Sequence, residues 1–108
     1  MLEITTRKVA QIILMARELT RAEGELRAFI ENLNEDEAIS LVALMWIGRG
    51  TFDADELEEA KTTAWDEADH PTADYLLGTP HLSDHLENGL DALGLSAGKD
   101  EDDLIRGG

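Results

Sequence analysis

The chain has 108 residues and no cysteine, which suits one domain with a single modest core and excludes disulfide staples, thiolate metal sites and a cysteine nucleophile. Its net charge is −15, and nearly all of the acid excess lies beyond residue 30, because Arg7, Lys8, Arg17, Arg21 and Arg27 offset the glutamates before it. Binding a phosphate backbone needs Lys and Arg to displace counterions, so the charge argues against nucleic acid and favours a basic partner.

The opening MLEITTRKVAQIILMARELTR lacks the continuous apolar stretch and small-residue cleavage site of a secretory signal. The longest apolar run, AISLVALMWIG (38–48), is far shorter than the roughly 20 residues that span a bilayer. A soluble, cytoplasmic protein without a membrane association is expected.

Helical periodicity runs through the chain, with no sustained alternation of the strand type. Thr5 or Thr6 caps a first helix. Its inner face is Val9, Ile12, Ile13, Ala16 and Leu19, spaced for a 3.6-residue repeat. Gly24 reads as a break, followed by a short second helix carrying Leu26, Phe29, Ile30 and Leu33. Asn34 and Glu37 then form a capping box, in which each side chain satisfies the other residue's backbone N–H.

The helix after that box, at 35–48, is apolar on nearly every side from Ala38 to Ile47, so it is read as the central element. Gly48-Arg49-Gly50 reads as its end. Asp53 opens the next helix, with Glu56 in the capping-box position and Leu57, Ala60, Ala64, Trp65 and Ala68 inward. His70-Pro71 breaks it. A short helix over 72–77 ends at Gly78, and Thr79 is read as the cap of a last helix with Pro80 in its first position. Leu82, Leu86, Leu90 and Leu93 make the stripe of that last helix, and Gly94 closes it. Residues 1–95 are therefore expected to form one all-α domain of five or six short helices around the central apolar helix. Residues 96–108 are expected to be a disordered acidic tail, with Leu104-Ile105 as its one apolar pair.

Two blocks, LVALMWIGRGTFDADELEEA (41–60) and TADYLLGTPHLSDHLENGL (72–90), resemble a bacterial family known as domain of unknown function 3775. The resemblance extends over roughly residues 5–94. It implies a compact, all-helical bacterial protein. It carries no reaction and no site residues.

His81 and His85 stand one helical turn apart on the last predicted helix, and His70, with Asp69 or Asp74, lies across the preceding turn. That set has the residue types of a zinc or nickel site. On a helical wheel His85 falls about 95° and His81 about 135° from the leucine stripe, which also suits boundary and surface histidines. Ser83-Asp84-His85 are triad residue types, but consecutive helical residues diverge by about 100° and do not converge on one atom. The Gly48-Arg49-Gly50 turn lacks the lysine of a phosphate loop and faces Asp53, Asp55 and Glu56. The acid runs at 53–56 and 99–103 lack the spacing of a twelve-residue calcium loop and read as solvated faces. Asp74 is the acid expected to be least exposed, and no pair of carboxylates nominates acid–base chemistry.

Trp46 is expected in the core. Phe52 precedes the Asp53 cap, the position of a hydrophobic staple, and Trp65 is read as core. Exposed, Phe52 and Trp65 would instead mark a partner surface. The function these features favour is a non-enzymatic protein-interaction module without a cofactor, its partner another protein or a second copy of the chain; an acidic binder of a basic protein is one alternative. A His/Asp metal site at His70, His81 and His85 is the other.

Overall fold

A computed structural model describes residues 1–68 and 70–95. Asp69 and the expected tail at 96–108, including Leu104 and Ile105, lie outside the described residues, as does the side chain of Leu19. The described residues form six α-helices and one 3-10 turn, with no strand among them. All-α is the fold class.

Helix α1 (Thr6–Arg17) starts where the Thr5 hydroxyl accepts the Lys8 N–H, and it buries Val9, Ala10, Ile12 and Ile13. Helix α2 (Leu19–Glu31) follows after the single residue Glu18. The break is therefore at Glu18, not at Gly24, which lies inside α2. A glycine costs a helix only about 1 kcal/mol relative to alanine, and the packing of Leu26 and Ile30 outweighs that.

Helix α3 (Glu35–Arg49) begins at the expected box: the Asn34 side chain accepts from the Glu37 N–H at 2.8 Å, and the Glu37 carboxylate accepts from the Asn34 N–H at 3.1 Å. Every residue from Ser40 to Ile47 is buried. Ser40, the buried polar residue of this run, is satisfied because its Oγ accepts the Glu3 N–H at 2.8 Å, which ties the N-terminal segment to α3. Gly50 ends the helix at φ 91°, with Thr51 N–H bonded to Trp46 O and Gly50 N–H to Ile47 O.

Gly48 is not part of that termination. It sits inside α3 against α6 (Leu82–Ala92), and a Cβ built on it would lie 1.6 Å from the His85 carbonyl oxygen. Gly89 is its counterpart on α6, where a Cβ would lie 2.4 Å from the Leu44 carbonyl oxygen. The two glycines let α3 and α6 cross at backbone contact, and Leu82, Leu86 and Leu90 fill the rest of that interface.

Asp53 and Glu56 form the second capping box around the 3-10 turn Ala54–Glu56, which leads into α4 (Leu57–Asp66). Helix α5 (Thr72–Leu77) follows the His70-Pro71 break. Thr79 does not cap α6, because its hydroxyl donates back to Tyr75 O at 2.8 Å. Helix α6 instead starts after His81, which holds a left-handed backbone at φ 60°. Gly94, at φ 76°, closes α6 with Leu95 N–H on Leu90 O, as its position predicted.

α3 is the hub. It packs chiefly on α6 and α4 and only lightly on α5, while α1 covers α6 and α2 covers α5. No helix among the described residues is long and apolar enough to cross a membrane.

Candidate functional site

The light packing of α5 on α3 leaves a groove. Ile39, Val42 and Trp46 recur at three- and four-residue spacing along α3 and form its floor. Ala64 and Ala68 of α4 and its C-terminal extension line one wall, and Thr72 and Tyr75 of α5 line the other. Its most enclosed part is a cleft of about 290 Å³, whose lining also includes Glu67 and His70. More open hollows continue it along the α3 N-terminal half, where Glu35, Asp36, Ala38 and Ile39 of α3 face Lys61, Thr62 and Trp65 of α4. From Ile39 to Trp46 the floor runs about 10 Å at the helical rise.

Two large apolar side chains stand exposed on this groove: Trp65 is 55% exposed and Tyr75 38%. The expectation that Trp65 is core is thus overturned. Ala60 and Ala64 occupy the buried face of α4, and Trp65, one step of about 100° further round, points outward. Ala68, also expected inward, is exposed because α4 ends at Asp66.

The floor is braced at Trp46. Trp46, only 8% exposed, donates its indole N–H to the Tyr75 hydroxyl at 2.9 Å. Phe52 stacks on Trp46, with ring centroids 5.9 Å apart and planes at 28°. Phe52 is half-buried and is not among the residues lining the groove, so it supports the cleft from behind.

The rim is acidic. Glu35 and Asp36 start α3, where the helix dipole favours them. Asp66 and Glu67 are different, because they sit at the C-terminal end of α4, which has no basic residue in its last turn. Acids there oppose the helix dipole and concentrate negative potential beside Trp65. Among the described residues, none of Glu35, Asp36, Asp66 and Glu67 enters an ion pair. The nearby cation, Lys61, is already engaged by Glu3 at 2.9 Å and Glu58 at 3.3 Å.

The histidines lie in different surroundings. His70 is exposed at the Trp46–Tyr75 cleft, His81 is exposed in the α5–α6 turn beside a different hollow, and His85 is half-buried on α6. Among the described residues, the one trio of potential ligand residues with its atoms within 4.8 Å is Asp53, Asp55 and Glu56, and it includes no histidine. Asp74 is exposed, not sheltered, and pairs with Arg27 across the α2–α5 contact. Arg49 donates to the Thr51 hydroxyl at 3.2 Å within its own turn.

Among the described residues, the one ion pair with a resolved effect on a carboxylate lies elsewhere. The Lys8 ammonium, together with the Asn34 backbone N–H, holds Glu37 below the usual glutamate range.

The stripe Ile39–Val42–Trp46 and the acids at the end of α4 were both visible in the sequence. The first is hidden in a helix apolar on nearly every side, and the second shows only when set against the helix dipole.

No curated protein and no solved structure matches the chain. A family model described as protein of unknown function (DUF3775) matches residues 23–95, which takes in α3 to α6 and the whole groove. The chain belongs to that family.

Proposed function

We propose that this protein is a non-enzymatic interaction module, and that the groove between α3, α4 and α5 docks a basic partner protein. The observation that carries the reading is Trp65. A tryptophan that is 55% exposed beside a formed apolar cleft holds surface that the monomer does not cover. Burying the rest of that side chain in a complex is worth on the order of 3 kcal/mol, the size of an interface hot spot. Charge selects the partner: Glu35, Asp36 and Glu67 line the groove, none of them in an ion pair among the described residues, and the chain has net charge −15, so a second copy meets like-charge repulsion there. The cytoplasm is the proposed compartment.

Affinity capture from the native cell tests the reading with two baits, the natural chain and Trp65→Ala. The expected result is a basic protein retained by the natural chain and lost from the variant. Identical captures by both baits would overturn the reading.

A further inference from the structure

We infer that the occupant of the groove is a short amphipathic helix that places apolar residues on the α3 floor and lysine or arginine over Trp65 and the acids ending α4. The inference rests on the docking function proposed above and adds the conformation and chemistry of the bound segment.

Conformation follows from hydrogen bonding. The walls and floor belong mostly to helices, whose backbone groups are bonded internally, so the groove offers no strand edge to an extended peptide. A helix satisfies its own backbone and needs only side-chain complementarity. The floor, about 10 Å long, matches roughly seven helical residues, enough for anchors at i, i+3 or i+4, and i+7. The cleft bounded by Val42, Trp46, Ala64 and Tyr75, about 290 Å³, accepts one large aliphatic side chain as the deep anchor.

Charge follows from the α4 terminus. Asp66 and Glu67 lie at the negative end of the helix dipole with no base in the last turn to offset them. That arrangement destabilises the free helix locally, and a cation brought by the partner relieves it. The exposed Trp65 indole beside them gives a guanidinium or ammonium a face to stack on. The acids at 99–103 make the chain's own C-terminal segment a poor occupant of an acidic rim.

Four labelled synthetic peptides test this by fluorescence anisotropy. One is a leucine/lysine amphipathic helix. The second and third carry glutamine or glutamate at the lysine positions, and the fourth is the leucine/lysine sequence with a central proline pair. The leucine/lysine helix is expected to bind at least tenfold more tightly than the glutamine form, the glutamate and proline forms not measurably. Trp65→Ala is expected to weaken it tenfold or more. Asp66→Asn with Glu67→Gln should bring it close to the glutamine form, whereas Asp55→Asn with Glu59→Gln, the same charge change near the other end of α4, should leave its lead over the glutamine form largely intact.

Equal binding of the lysine and glutamine forms, both weakened by Trp65→Ala, would overturn the basic occupant and leave the docking function standing. Undiminished binding by the proline form would overturn the helix. Lysine-peptide binding that ignores Trp65→Ala would be adsorption to an acidic surface and would overturn both. No binding by any peptide would overturn the occupant, and the capture experiment would then judge the docking function alone. A dimer in sedimentation that Trp65→Ala dissociates would assign the groove to a second copy, against both the inference and the basic partner.

Discussion

Gly48 of α3 and Gly89 of α6 face one another across a crossing so close that a methyl group on either would overlap the other helix's backbone. Gly48→Ala and Gly89→Ala are each expected to cost at least about 3 kcal/mol, the upper end of ordinary overpacking, because the obstacle is a carbonyl oxygen and not a side chain that can rotate away. Gly24→Ala is the contrast. Nothing lies within 4 Å of its built Cβ, so helix propensity alone operates and stability should rise by about 1 kcal/mol. Urea denaturation of the three variants reads both signs.

The two tryptophans are expected to separate stability from binding. Trp46→Ala removes a buried ring that Phe52 and Tyr75 hold, and should cost about 3–5 kcal/mol. Tyr75→Phe leaves the Trp46 indole N–H without its partner and should cost about 1–2 kcal/mol. Trp65→Ala should change stability by about 0.5 kcal/mol or less, as expected of a surface position. A thermal melt of each variant checks the order, and a large loss for Trp65→Ala would mean that the ring is structural.

Glu37 gives the fold a pH dependence of known sign. Its carboxylate is held below the usual range by Lys8 and the Asn34 N–H, so the folded state binds its proton less readily than the unfolded chain. The contribution is fully present above the ordinary glutamate value of about 4.3 and is lost as the pH falls through the depressed folded value. Glu37→Gln keeps an acceptor for the Asn34 N–H but loses the Lys8 pair. The difference in melting temperature between the natural chain and this variant should therefore be largest near neutrality and shrink as the pH falls below about 4.

His81 holds a left-handed backbone that a side chain disfavours by about 1–2 kcal/mol. Glycine there removes the strain but adds unfolded-state entropy, so His81→Gly should stabilise by roughly 0.5 kcal/mol. His81→Ile, β-branched at the same φ, should destabilise. Chemical denaturation of the pair measures both.

What was legible in the sequence is what depends on neighbours three or four residues away. The boxes Asn34/Glu37 and Asp53/Glu56, the Thr5 cap, the leucine stripe of α6 and its Gly94 stop all follow from local geometry. The hub position of α3 followed from its nearly unbroken apolar surface. Four misplacements have other causes. Gly24 and Gly48 were read as punctuation, although one is a tolerated helix residue and the other a contact with a distant helix. Thr79 was read as a cap, but a competing acceptor, Tyr75 O, takes its hydroxyl. Trp65 reads as core from its size and its place beside Ala64, but Ala60 and Ala64 set the inner face of α4, and a residue one step of about 100° further round lies outside it. The groove arises from how α4 and α5 diverge over α3, a tertiary relation that periodicity does not encode.

The two indole N–H signals in a nitrogen–proton correlation spectrum give the most direct test of where a partner binds. On titration with the leucine/lysine helix, the Trp65 indole and the backbone amides of Ile39, Ala68 and Thr72 should shift together and saturate. Shifts centred on Asp53 to Glu59, or a Trp65 signal that stays in place while the peptide binds, would contradict the account.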